Sequence, residues 1–256
     1  MDETELKALR QKVAISCRIL AMLGLVKETT GHVSARIPDS PHMFIRGRGH
    51  GETGLLFTTE DDILRTDFDG KVLGHGADEV GTPRELPIHG EIYKFRPEAM
   101  CVVHAHPPGI LMCGLHSLEL RPIFGAYDPS AMKIAMEGVP VYPRAITVTS
   151  AELAAGLLYA MAGKDVVLMR GHGITAIGRT IEEATVRAIK LESLARITWH
   201  AGERGPVADI SDEDKEYYGQ LSAGLSSARS ADPVWRYYVQ MLEHQGILPD
   251  TLVPQV

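Results

Sequence analysis

The chain has 256 residues and a mass of 27.9 kDa, enough for one large domain with or without a helical tail. Its formal charge of -7 and its isoelectric point near 5.9 argue against nucleic acid or an anionic membrane as the main partner. The N-terminus is acidic where a signal peptide would be basic, and the longest apolar stretches fall well short of the roughly 20 residues that span a bilayer. The three cysteines form no spaced set, so we expect a cytoplasmic protein.

Hydrophobic patterns predict a mixture of helices and strands along the chain. The apolar stripe over residues 6–23 is typical of an amphipathic helix, and the alternation over residues 32–37 is typical of a half-buried strand. Short strands are also expected at residues 43–45, 55–57, 72–73, 101–106, 139–141, 166–169 and 174–177. Further helical segments are expected at residues 61–64, 92–95, 110–115, 150–161, 180–199, 212–223 and 233–244, with irregular chain at 74–81 and 125–129. Helices are too few for a regular alternating barrel, so the predicted fold class is α+β, one sheet covered by helices.

A histidine pair at a strand end is the first candidate for chemistry. His104 and His106 follow an apolar run and precede a double proline, which cannot continue a ladder of hydrogen bonds. Because side chains alternate along a strand, the two imidazoles point to the same side. His172 stands between two glycines after another apolar run. Three imidazoles with an open position are typical of a catalytic metal site.

Two further segments have both a structural and a functional interpretation. Glu85 begins the helix that leads to the histidine pair, so it either faces the ion or only suits the helix dipole. His89 lies on the same helical face, as a supporting residue or as packing. Residues 46–51 form a glycine-rich segment with two arginines, which is either a solvated turn or an anion clamp. The local sequence favours the turn.

Several short motifs recur in a fixed order along the chain. They are Gly31-His32-Val33-Ser34-Ala35-Arg36, Glu85 with His89, Arg96-Pro97-Glu98, Val103-His104-Ala105-His106, Gly171-His172-Gly173, and Gly178 with Glu182-Glu183-Ala184. Each motif alone is weak, but the ordered combination resembles the class II aldolase/adducin family over roughly residues 8–200. The resemblance implies an α/β/α layered fold with a central, mostly antiparallel sheet. It also implies a catalytic domain over residues 1–205, a helical tail over 206–256 at the oligomer interface, and homotetramers with active sites between subunits.

The chain departs from the sugar-phosphate enzymes of that family where they bind phosphate. Those enzymes carry asparagine at the position of His32 and a serine pair at the position of Pro83-Arg84. Arginine and imidazole replace these small polar groups, which makes a planar carboxylate a better ligand than a phosphorylated sugar. The pattern is similar to the decarboxylase branch of the family, whose members act on hydroxylated aromatic or heteroaromatic carboxylates.

The resemblance assigns expected roles to individual residues. The expected ligands of a divalent metal ion (manganese, zinc, iron or cobalt) are His104, His106, His172 and Glu85. The expected substrate-binding residues are His32, Ser34, Arg46, Arg48 and Arg84. The expected catalytic residues are Glu85 and Tyr127, with Tyr217 and Tyr218 of a neighbouring subunit as further candidates for proton transfer.

Other functions use similar residues and stay open on the sequence. An aldolase acting on an unphosphorylated hydroxy-keto acid needs the same metal and nearly the same acid/base. A non-heme iron oxygenase uses two histidines and a carboxylate. A non-enzymatic, adducin-like interaction module is a third alternative, but it has no need of the three histidines and the glutamate. The metal-dependent decarboxylase is the favoured prediction, with the aldolase and the oxygenase as its alternatives.

Overall fold

The structure, a computed structural model, describes residues 1–49, 51–74, 80–223 and 227–252. His50, in the glycine-rich segment, and residues 75–79, in the irregular stretch expected from the sequence, lie outside the described residues. In the described ranges, no helix is both long enough and apolar enough to cross a membrane.

Most of the strands form one mixed sheet at the centre of the molecule. The strands of the described residues are β1 (His32–Arg36), β2 (His42–Arg46), β3 (Arg48–Gly49), β4 (Ile63–Asp67), β5 (Val80–Gly81), β6 (Cys101–Ala105), β7 (Val141–Tyr142), β8 (Val166–Met169) and β9 (Gly173–Gly178). Seven of them form the central sheet in the order β4-β2-β1-β6-β9-β8-β7, and β3 pairs with β5 in a separate ribbon. Every neighbouring pair of the central sheet is antiparallel except β7 with β8. The predicted mostly antiparallel sheet is therefore confirmed.

Helices cover both faces of this sheet. Those of the described residues are α1 (Glu3–Met22), α2 (Leu86–Phe95), α3 (Pro108–Leu115), α4 (Pro129–Glu137), α5 (Ala151–Met161), α6 (Ile181–Gly202), α7 (Asp212–Ala223) and α8 (Ser227–His244). One buried core joins side chains of α1, α3, α4, α6 and α8 to one face of the sheet. A second core joins α2 and α5 to the opposite face. The arrangement confirms the predicted layered α+β fold, and apolar side chains of the C-terminal tail belong to the first core.

Strand alternation decides which side chains meet the second core. On β1, Val33 and Ala35 enter the first core, so His32 and Ser34 point to the opposite face. His32 lies directly opposite His104 in the register of β1 with β6, and paired residues share a face. The side chains of His32 and His104 therefore lie together on the side of α2.

The sequence misjudged three segments. Residues 55–57 form a 3-10 turn instead of a strand, and β4 begins at Ile63, where a helical turn was expected. Helix α4, which the sequence did not indicate, begins at residue 129, the last residue of the expected irregular stretch. Its start is signalled by Asp128, whose side chain accepts from the Ala131 N–H, followed by proline at the first helical position.

Substituting Gly90 should lower the thermal stability of the protein. A Cβ atom at this position of α2 would lie 1.9 Å from the backbone oxygen of Phe68, so the helix has to move away from the chain beneath it. We expect Gly90→Ala to destabilise the fold by about 1–3 kcal/mol, or to lower Tm by roughly 2–12 °C. Differential scanning calorimetry measures this shift. Gly202→Ala is the matched control, because a Cβ atom there meets nothing within 4 Å, and an equal fall in both variants would contradict the steric explanation.

Candidate active site

Four side chains converge at one end of the sheet, and we call them the imidazole–carboxylate cluster: Glu85, His104, His106 and His172. Each offers one ligand atom, and these four atoms all lie within 4.8 Å of one another. The Nε2 atoms of His104 and His106 are 2.9 Å apart. Oε2 of Glu85 lies 3.3 Å from Nε2 of His104 and 3.5 Å from Nε2 of His172. The structure thus brings together all four residues expected to bind metal.

The two glycines beside His172 allow the backbone to approach strand β6. Gly171 has a φ of 65°, in the left-handed region that glycine adopts without strain. A Cβ atom at Gly173 would lie 2.1 Å from the backbone oxygen of Ala105 and 2.9 Å from Cδ2 of His106. The turn between β8 and β9 can therefore bring its imidazole against the end of β6 only if this position lacks a side chain.

Glu85 is held so that one carboxylate oxygen faces the imidazoles. The residue sits at the N-cap position of α2 and is only 7% exposed. Its Oε1 accepts a hydrogen bond of 2.8 Å from the Val148 N–H, which leaves Oε2 for the cluster. Of the two interpretations of Glu85, the structure favours the one in which its carboxylate faces the imidazoles over a simple interaction with the helix dipole.

The protonation states of the cluster suit a cation. Burial lowers the pKa of His104, although Glu85 opposes this, and burial together with the neighbouring imidazoles lowers the pKa of His106 to about 3. Burial also opposes ionisation of Glu85, but hydrogen bonds and attraction to His104 and His172 outweigh it and hold its pKa below the usual range. At neutral pH, His104 and His106 are therefore uncharged and Glu85 is a carboxylate, the states in which these groups bind metal.

The donor set fits a divalent metal ion. Nδ1 of His104 lies 3.5 Å from the Thr175 hydroxyl, and its Nε2 faces the cluster. A divalent cation among these groups would replace the protons that the imidazoles and the carboxylate share. Imidazole nitrogens with one carboxylate oxygen suit zinc, manganese, iron or cobalt.

His32 lies against the cluster, but Ser34 lies behind it. The ring of His32 stacks on His104 with 4.9 Å between centroids, and its Nδ1 is 2.6 Å from Nε2 of His89. The hydroxyl of Ser34 is fully buried and contacts Nδ1 of His89 at 2.6 Å and the Tyr93 hydroxyl at 2.7 Å. The hydrogen bonds of the Ser34 hydroxyl are therefore made within the protein, and a substrate contact for Ser34 stays a prediction.

The three candidate arginines occupy different surroundings. Arg46 shares a sheet face with Val33, opposite to His104, and forms a buried ion pair with Glu52, so substrate binding by Arg46 stays a prediction. Arg48 lies close enough for its charge to lower the pKa of His32 and His106. The Arg84 side chain is exposed next to Glu85 in the chain. Arg48 and Arg84 remain available to an anion.

Among the described residues, the structure shows no contact between the candidate tyrosines Tyr127, Tyr217 and Tyr218 and the imidazole–carboxylate cluster. The Tyr127 side chain is 76% exposed, and its ring meets that of Phe124. Tyr217 and Tyr218 pack edge to face against each other, and the ring of Tyr218 lies over Gly125. A role for Tyr127 in proton transfer therefore requires the active site of another subunit.

Sequence reasoning missed Tyr93, and it left the role of His89 open. Both side chains are buried on the inner face of α2, and both contact Ser34. Their separation of four residues was a signal, because residues i and i+4 of a helix share a face.

Comparison with known proteins decides the family. The profile of the Class II Aldolase and Adducin N-terminal domain matches residues 11–199. The chain belongs to this family. The imidazole–carboxylate cluster is intact in this chain, as is expected of an enzyme of the family.

The chain is similar to curated decarboxylases over most of its length. It is 38% identical to the 3,4-dihydroxyphthalate decarboxylase of Arthrobacter keyseri, over 89% of this chain and 91% of that protein. It is 41% identical to the protein of the same name from Terrabacter sp. (strain DBF63), over 90% of this chain and 95% of that one. The chain is thus a carbon–carbon lyase, with a carboxy-lyase favoured over an aldehyde-lyase.

A solved structure shares the fold. The aldolase II superfamily protein from Pseudomonas syringae superposes with a TM-score of 0.81, and the match covers 94% of both chains. The identity between the two sequences is 21%, so this similarity concerns the architecture alone.

Proposed function

We propose that this class II aldolase–adducin chain is a divalent-metal-dependent decarboxylase of a hydroxylated aromatic or heteroaromatic carboxylate or dicarboxylate. The observation that carries the proposal is the identity of 38–41% to 3,4-dihydroxyphthalate decarboxylases over about nine tenths of the chain. The imidazole–carboxylate cluster supplies the donors that a metal-dependent reaction of this kind needs.

The metal is proposed to be held by His104, His106 and His172, with Glu85 as a further ligand or as a neighbouring base. A divalent cation bound there acts as a Lewis acid that stabilises negative charge on a substrate oxygen when the carbon–carbon bond breaks. His104 is buried, His106 is half-buried and both are uncharged, so they would bind the cation without first losing a proton.

Glu85 is proposed to move the proton. Its pKa lies below the usual range, so the group meets the substrate as a carboxylate and can accept the proton of a ring hydroxyl. The same carboxyl group then returns that proton to the ring carbon that loses carbon dioxide. The Val148 N–H holds Oε1 throughout, which keeps Oε2 turned to the reacting groups.

Arg48, Arg84 and His32 are proposed to hold the carboxylate of the substrate. Arg48 is near His32 and His106, and its Nε is buried with no hydrogen-bond partner among the described residues. A carboxylate satisfies a guanidinium with two parallel hydrogen bonds. The acid would therefore lie between the cluster and β3.

The protein is further proposed to be a cytoplasmic homotetramer. Its active sites would lie between subunits, and residues 206–256 would lie at the subunit interface. Nδ1 of His172 is buried without a hydrogen-bond partner among the described residues, which leaves it for a group from outside this chain. The exposed rings of Tyr127 and Tyr217 offer apolar area for a subunit contact. Light scattering of the purified protein measures the oligomeric state.

The function is tested by metal analysis followed by a screen of ortho-hydroxy aromatic acids that includes 3,4-dihydroxyphthalate. We expect about one divalent ion per chain, release of carbon dioxide, loss of turnover on chelation and recovery when the ion is returned. Release of pyruvate or an aldehyde from hydroxy-keto acids, with no carbon dioxide from any aromatic acid, would favour the aldolase alternative. Oxygen consumption that requires ferrous iron would favour the oxygenase.

A further inference from the structure

Behind His32, a row of buried polar side chains leads away from the imidazole–carboxylate cluster, and we call it the His32–Tyr93 relay. Nδ1 of His32 is 2.6 Å from Nε2 of His89, and Nδ1 of His89 is 2.6 Å from the Ser34 hydroxyl. That hydroxyl is 2.7 Å from the Tyr93 hydroxyl. All four side chains belong to residues that are at most 2% exposed.

The relay carries one proton more than it has internal hydrogen bonds. Burial lowers the pKa of His89 to about 3 and raises that of Tyr93 well above its usual range, so both groups are neutral. A neutral imidazole has one N–H, and serine and tyrosine have one O–H each. Four protons therefore serve three contacts, and one proton must point out of an end of the relay. That end is either the Tyr93 hydroxyl or Nε2 of His32.

The surroundings of Tyr93 select the direction. Ser34 is the only hydrogen-bond partner that the described residues offer the Tyr93 hydroxyl, so a Tyr93 proton pointing elsewhere would be buried without an acceptor. The Tyr93 proton is then left for Ser34, which donates its own proton to Nδ1 of His89. Nε2 of His89 in turn donates to Nδ1 of His32. The remaining proton lies on Nε2 of His32.

We propose that Tyr93, Ser34 and His89 are positioning residues that fix His32 as an Nε2–H donor to an oxygen atom of the substrate. The stacking of His32 on His104 sets the plane of its ring, and the relay sets which nitrogen carries the proton. A donor in this place attracts a carboxylate oxygen, whereas the opposite tautomer would present a lone pair and repel it. Only the identity of the acceptor rests on the proposed decarboxylase function.

Neutron diffraction from crystals of the Zn²⁺-loaded protein in heavy water tests the tautomer directly. We expect deuterium on Nε2 of both His32 and His89, and on the Tyr93 oxygen in the direction of Ser34. Deuterium on Nδ1 of His32 would overturn the proposal. This measurement needs no turnover, so it decides the relay even if no aromatic acid is decarboxylated.

Kinetics with 3,4-dihydroxyphthalate test whether the relay serves the substrate. His89→Leu should lower kcat/KM by about 10–100-fold with unchanged metal content, and His89→Gln, which keeps an acceptor and an N–H donor, should recover part of that loss. Tyr93→Phe should also lower kcat/KM, whereas Tyr142→Phe, a buried tyrosine of the same core, should not. Loss of metal in His89→Leu, or wild-type kcat/KM in both His89→Leu and Tyr93→Phe, would overturn the proposal. If the acid is turned over but deuterium lies on Nδ1 of His32, the relay fails and the proposed function stands.

Discussion

His106→Ala is expected to lose its bound metal and nearly all decarboxylation while the fold stays intact. The substitution removes one of three converging imidazoles, and a two-histidine site holds a divalent ion far more weakly. Because a bound divalent ion would supply several kcal/mol of stabilisation when the bond breaks, kcat/KM should fall by about 1000-fold or more. Elemental analysis of the purified variant and carbon dioxide release measure the two effects.

A matched control separates this loss from a general effect of removing a histidine. His244 is exposed near the end of α8, away from the imidazole–carboxylate cluster, so His244→Ala should keep wild-type metal content and activity. Circular dichroism of both variants checks that secondary structure is retained. Full turnover in His106→Ala would rule out the cluster as the reactive centre.

Glu85→Gln is expected to fold normally and to lower kcat by about 100- to 10,000-fold. The amide oxygen can still accept from the Val148 N–H, so the buried hydrogen bond is kept. The amide cannot take up a proton, and its N–H group replaces the carboxylate charge that faces His104 and His172. Stopped-flow measurement of carbon dioxide release, with metal analysis of the same sample, gives the result.

The metal content of Glu85→Gln decides whether Glu85 is a metal ligand or acts only in proton transfer. Full metal content with little turnover assigns Glu85 to proton transfer, whereas loss of the ion makes it a ligand as well. Glu91→Gln is the control, since Glu91 is a buried carboxylate of the same helix that pairs with Lys94 outside the cluster. Wild-type kcat in Glu85→Gln would remove this residue from the mechanism.

Local patterns were sufficient for the parts of the centre that lie close together in the chain. His104 and His106 were expected on one face because they are two residues apart, and the glycines around His172 indicated a close backbone approach. Glu85 was placed at the start of α2 by the proline and helix pattern that follow it. The layered α+β fold followed from the mixture of elements together with the family resemblance.

Contacts between distant segments could not be predicted in the same way. Arg46 and Arg48 are two residues apart and would share a face on one strand, but the chain leaves the central sheet between them and pairs with β5. The register that sets His32 opposite His104 joins residues far apart in sequence, and no local pattern specifies it. For the same reason, the sequence did not predict the two internal partners that the fold gives Ser34.

The source of each group in the fold has a consequence for how such an enzyme can change its specificity. His32 comes from β1, whereas the groups of the imidazole–carboxylate cluster come from α2, from the end of β6 and from the turn before β9. Exchanging residue 32 replaces none of the four side chains that would hold the ion, although it changes the ring that stacks on His104. The same fold can in this way bind a different acid after a single substitution on β1, while the four residues of the imidazole–carboxylate cluster stay the same.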